Sequence, residues 1–98
     1  MRKRITVIFS ALSGETQSRS HEIEIASTGD ALADCQAVFN LLNDAEMGDA
    51  GLNPLAGKER ALSPGDGIII DGIIYRCCML GWREIDDLTK LKATSLFD

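Results

Sequence analysis

The stretch GDGIIIDGIIYRCCMLGW, Gly65 to Trp82, decides how this chain folds. It holds five isoleucines, two adjacent cysteines and the only tryptophan, arranged around one Asp71-Gly72 pair. A two-residue type I′ turn needs positive φ at both central positions, and Asp-Gly supplies it. The turn pairs Ile70 with Ile73, Ile69 with Ile74 and Ile68 with Tyr75. One face then carries Ile68, Ile70, Ile73, Tyr75, Cys77 and Met79, and the other Ile69, Ile74, Arg76, Cys78 and Leu80. The hairpin is apolar on both sides. One side is expected under a helix; the other needs a partner, the chain's own tail or a second copy to cover it. Ser63-Pro64-Gly65-Asp66 precedes it as a type II turn.

Upstream, Ile5-Thr6-Val7-Ile8-Phe9 alternates and predicts a first strand, and His21-Glu22-Ile23-Glu24-Ile25 a second, antiparallel to it. Ser10 to Ser20, rich in Ser, Gly and Thr, reads as a connection. Ser27-Thr28-Gly29-Asp30 predicts a helix start, with Thr28 as cap and Asp30 in the first turn. Ala31, Cys35, Val38, Phe39 and Leu42 form one apolar stripe, while Asp34, Gln36 and Asn40 are expected to point away. Residues 44–65 show no sustained period and read as a long mobile loop. Gly81-Trp82 interrupts the hairpin as a bulge or bend. The tail is expected to extend the strand through Ile85 and then form a short helix, with Leu88 and Leu91 inward and Asp86 facing Lys90. The expected fold is α+β: β-β-α-β-β, one helix on a small, mostly antiparallel sheet, in a single domain over residues 1–98.

Ninety-eight residues can bury roughly 65% of the unfolded surface, enough for one modest core. No apolar run approaches the ~20 residues of a membrane span. The lead-in Met1-Arg2-Lys3-Arg4 reads as the start of a strand rather than a signal peptide, so a cytoplasmic location is expected. Three cysteines without a C-x-x-C fit reduced thiols. The net charge is −5, unevenly spread: +3 over residues 1–20, −7 over 21–57 and −1 over 58–98. The middle third has no Lys or Arg but carries Glu22, Glu24, Asp30, Asp34, Asp44, Glu46 and Asp49. It reads as a solvated acidic face or as a surface for a basic partner; direct nucleic-acid binding there is disfavoured.

Few residues suggest catalysis. Cys77 and Cys78 point to opposite faces of a strand and cannot jointly hold a metal in the usual way. His21, the only histidine, lacks an oriented third group, and no nucleophile elbow or phosphate-binding glycine loop is present. No metal, no cofactor and no enzymatic activity are expected. Trp82 and Arg83 are of residue types over-represented in binding hot spots, though Trp82 also suits a core or edge filler.

Phe39 to Trp82 resembles small proteins of unassigned activity carried by phages, plasmids and integrative elements. These have a "V-F-x-x-x-N" helix end, then "R-S-L-S-V-G-D-V", "D-G-x-x-Y-x-C" and "G-W" or "G-F". The matching positions are Val38, Phe39, Arg60, Leu62, Ser63, Gly65, Asp66, Asp71, Gly72, Tyr75, Cys77, Gly81 and Trp82; Ala61, Pro64 and Gly67 depart. The resemblance implies a mobile-element context and no catalytic residue. The resulting expectation is an accessory protein acting by protein-protein binding. Its concrete form is an inhibitor of a host nucleic-acid-targeting defence complex, with the acidic residues, Trp82 and Arg83 as the contact set. The alternatives are a homodimer formed through the second hairpin face, and a nucleic-acid binder using Arg2, Lys3 and Arg4.

Overall fold

The computed structural model describes residues 2–10, 18–46, 50–88 and 91. The elements are β1 (Arg2–Phe9), β2 (Arg19–Ala26), α1 (Ala31–Asn43), β3 (Gly67–Ile70), β4 (Ile73–Cys77) and β5 (Trp82–Ile85). The strands form one antiparallel sheet in the order β2-β1-β3-β4-β5, and α1 lies on one face. The fold is the expected α+β arrangement of one helix on an antiparallel sheet; strand structure does reach Ile85, as a separate fifth strand paired back on β4.

The alternation in β1 and β2 does what its pattern predicts. Ile5 sits opposite Ile23, and both are buried under α1 with Val7, Phe9 and Ile25. The opposite face carries Arg2, Arg4, Glu22 and Glu24, all exposed. In α1 the stripe Cys35, Val38 and Leu42 is buried, with Ala31 and Phe39 packed at its margin. Gln36 and Asn40 face water and bond to each other, one turn apart, at 3.1 Å.

The Asp-Gly turn forms as expected. Asp71 has φ 53° and Gly72 φ 79°, and the register pairs Ile70 with Ile73, Ile69 with Ile74 and Ile68 with Tyr75. Ile68, Ile70, Tyr75 and Cys77 are buried on the helix side. Ile73 shares that face but is 40% exposed, because it adjoins the turn at the sheet's end. At Ser63-Pro64-Gly65-Asp66, Gly65 has φ 99° and the Asp66 amide donates to the Ser63 carbonyl, as a type II turn requires.

Three expectations need correction. Asp30, not Thr28, caps α1: its carboxylate accepts from the Leu32 and Ala33 amides. After Cys77 the chain bends over residues 79–81, the bend being one of the two expected forms, instead of carrying Met79 and Leu80 onward in the strand. The Cys78 amide donates to the Gly81 carbonyl, Gly81 takes φ 83°, and β5 returns along β4 with Trp82 opposite Cys77. Met79 and Leu80, placed in the strand by pattern, therefore sit exposed in this turn. No α-helix follows Ile85 among the described residues, and Lys90, the expected partner of Asp86, lies outside them.

The second hairpin face is half-buried. Ile8, Ile69, Ile74 and Ile85 share it, Arg76 is buried, and Leu91 lies against Gly67. The tail thus supplies part of the cover that the apolar pattern demands. The segment after α1 also joins the core: Leu55 and Leu62 are buried, and the Asn43 side chain bonds both the amide and the carbonyl of Leu62.

Candidate functional site

β2 is a terminal strand, so its second edge carries no strand partner among the described residues. Beside that edge runs a groove of about 520 Å³. Its floor and walls are mainly apolar: Ile25 and Ala26 from β2, Val38 and Leu41 from α1, and Leu52 and Pro54 from the following loop. Arg2 and Glu24 form its charged rim. Leu52 is 60% exposed there. The groove exists because Ile23 and Ile25 draw α1 onto the sheet while the loop turns back past the helix's C-terminal half. No single stretch of sequence announces it.

The acidic residues do not form one patch. Glu22 and Glu24 stand on the sheet face away from α1, next to the β2 edge. Arg2 and Arg4 approach them at 3.5 to 3.8 Å, in exposed pairs worth little individually. Asp30 closes the start of α1, while Asp44 is its C-terminal cap, about 20 Å away by helical rise. Glu46 follows in the exposed segment. Asp49 lies outside the described residues.

Asp34 must be withdrawn from any surface. It is 1% exposed and turns inward, accepting from Ser27 Oγ at 2.6 Å, the Thr28 amide at 2.8 Å and Thr28 Oγ1 at 2.9 Å. Burial pushes its carboxyl up, but the bonds from Ser27 and Thr28 outweigh this and hold it below its ordinary value. Trp82 and Arg83 also separate. Trp82 packs on the helix side, its ring edge-on to Phe39 at 6.5 Å, whereas Arg83 is exposed and, as its strand neighbour, points to the opposite face.

A second polar cluster joins β2 to the loop. Glu59 takes two bonds from Arg19, at 2.6 and 2.8 Å, and a third contact from His21 Nε2 at 2.9 Å. Arg19 foremost, with His21, holds the Glu59 carboxyl down at about 2 despite burial. His21 is thus a partly buried tie with its ring edge-on to Phe9. Both Glu59 oxygens are engaged in fastening the loop.

The thiols pack as small apolar groups. Cys35 and Cys77 are buried, and burial pushes them up to about 12 and about 11. Among the described residues no group of three His, Cys, Asp or Glu side chains is placed to hold a metal. No helix among them is long and apolar enough to cross a membrane. Comparison with protein-family models, curated proteins and solved structures finds no match.

Proposed function

We propose that this chain works by binding another protein, through the face made by α1 and the edge of β2. The observation that carries this reading is the open apolar groove between Leu41, Leu52 and Pro54 on one side and Ile25 on the other. Apolar concavities with a charged rim are the usual form of a recognition site. Net charge −5 and the carboxylates of Glu22 and Glu24 favour a basic partner. In the mobile-element context that the resemblance implies, a host nucleic-acid-targeting defence complex is the partner class proposed, since such complexes present basic surfaces.

The second hairpin face is the weaker surface. Its residues are already half-buried within one chain, and Leu91 occupies part of it. The test is affinity capture from a bacterial lysate with the parent chain and with Leu52→Asp, whose exposed position tolerates the change. The reading requires a captured protein that Leu52→Asp loses at least ten-fold while its melting temperature stays put. A protein held equally by both chains refutes it.

A further inference from the structure

We infer that the partner enters as an extended segment, alternating basic and apolar residues, that adds a strand to the outer edge of β2, which no strand among the described residues pairs. This rests on the protein-binding reading above and specifies how the groove is used. A sheet edge presents a row of backbone donors and acceptors ready to pair with another strand. Here the edge belongs to β2, which runs eight residues, Arg19 to Ala26. Recognition of this kind takes affinity from the main chain and specificity from alternate side chains.

The two faces of β2 state what those side chains must be. On the helix side, Ile23 and Ile25 are buried, and Ile25 leads straight into the groove lined by Val38, Leu41, Leu52 and Pro54. An incoming residue on that side must be apolar. On the other side Glu22 and Glu24 stand exposed, two residues apart; Arg2 and Arg4 reach them from β1 only at 3.5 to 3.8 Å, longer than good hydrogen bonds, so an incoming residue opposite either one is still favoured as Lys or Arg.

The chain already contains a strand written in this pattern. β1 pairs with the inner edge of β2, placing Arg4 opposite Glu24 and Ile5 opposite Ile23. The proposed partner repeats on the outer edge what β1 does on the inner one. A second copy of this chain is a poor occupant of the same edge. In the two antiparallel registers that overlap two β2 strands most fully with Ile23 and Ile25 on the helix side, Glu22 meets Glu22 or Glu24 of the copy. Like charges directly opposite are destabilising.

The test uses the full chain and blocked eight-residue peptides. One alternates Lys and Val, one alternates Glu and Val, and two are Lys-Val peptides N-methylated at alternate amides, one on each set. Binding is read by amide chemical shifts and hydrogen exchange. The Lys-Val peptide is expected to slow exchange of outward-facing β2 amides at least ten-fold, and one of the two N-methyl sets to abolish this. Reversing both charges, Glu22→Lys with Glu24→Lys, is expected to transfer the preference to the Glu-Val peptide. Lys-Val binding that leaves β2 exchange unchanged, or that survives both N-methyl sets, overturns strand addition. So does failure of the Lys-Val peptide to bind. Either result leaves the capture experiment with Leu52→Asp to decide the broader reading independently.

Discussion

Asp66, buried, and Arg60, partly exposed, form a clasp six residues apart. The Arg60 guanidinium donates to the Asp66 carboxylate at 2.6 and 3.0 Å and lies over the Phe9 ring at 5.3 Å. The same carboxylate accepts the amides of Ser10 and Ser63, both at 2.8 Å, and Arg60 also reaches the Ser10 carbonyl. One aspartate, fully buried, therefore ties the end of β1, the loop and the turn before β3. Arg60, Leu62, Ser63, Gly65 and Asp66 of the resemblance motif act here as a structural knot.

Asp66→Asn keeps the shape but removes the charge that Arg60 faces. The expected loss is about 2–3 kcal/mol, less than for a fully buried pair because the Arg60 side chain left behind is 23% exposed. Urea unfolding followed by circular dichroism measures it. A loss below about 1 kcal/mol contradicts the clasp's role.

Glu59 makes stability depend on acid. Its carboxyl titrates near 2 when folded against an ordinary 4.5. A depressed carboxyl contributes stability that is fully present above about 4.5 and lost as pH falls through the folded value. Glu59→Gln should melt lower than the parent at pH 7, and the gap should narrow between about pH 4.5 and pH 2. Asp34, also depressed, titrates in both proteins and cancels in the difference. A gap that stays constant across that range contradicts the assignment.

Local rules carried the parts of the fold that local chemistry determines. Asp71-Gly72 specifies a turn by backbone sterics alone, and its register then places every isoleucine. The stripe from Ala31 to Leu42 is likewise self-contained. Asp34 misled because its sequence position on the helix says outward, while its three donors come from Ser27 and Thr28 before the helix begins. The spacing of those two hydroxyls ahead of an aspartate was the available signal. β5 was hidden by Met79 and Leu80, apolar residues in a turn, which made the hairpin look longer than it is. The groove draws on positions from Arg2 to Pro54 and exists only in three dimensions.

Gly67 and Leu91 predict a coupled pair of substitutions. A Cβ at Gly67 would stand 2.8 and 2.9 Å from the two Leu91 methyls. Gly67→Val should therefore push the Leu91 side chain aside at a cost of about 1 kcal/mol, the low end for overpacking because the methyls it meets end a flexible side chain. Leu91→Ala makes room, so the double variant should be more stable than the two single losses add up to, by at least about 0.5 kcal/mol. Simple additivity in a double-mutant cycle means that Leu91 does not lie on this face in solution.

The cysteines should differ sharply in reactivity. Cys35 and Cys77 are buried and held protonated at ordinary pH, whereas Cys78 is partly exposed. A disulfide reagent at pH 8 should label one thiol quickly in the native protein and the other two only on unfolding. Cys78→Ser should remove the fast phase. Fast labelling of two thiols in that variant contradicts the burial of the pair.

Trp82 separates a stability role from a binding role. It is half-buried on the helix side of β5, and its ring meets Phe39 at 83° in an edge-to-face contact. Such pairs add about 0.5–1.5 kcal/mol beyond the area they bury. A fully buried Trp→Ala change costs about 3–5 kcal/mol, so a partly exposed one should cost about 2–3. Trp82→Phe should recover most of that, since it keeps an aromatic edge for Phe39. Because β5 and β2 are the two outer strands of the sheet, neither variant should change the affinity of a Lys-Val peptide for the groove. Denaturation by circular dichroism, which does not depend on the lost tryptophan signal, and peptide titration of both variants check the two halves. A Trp82→Ala protein with parental stability and weakened partner binding makes Trp82 an interface anchor and moves the binding surface to the β5 end of the sheet.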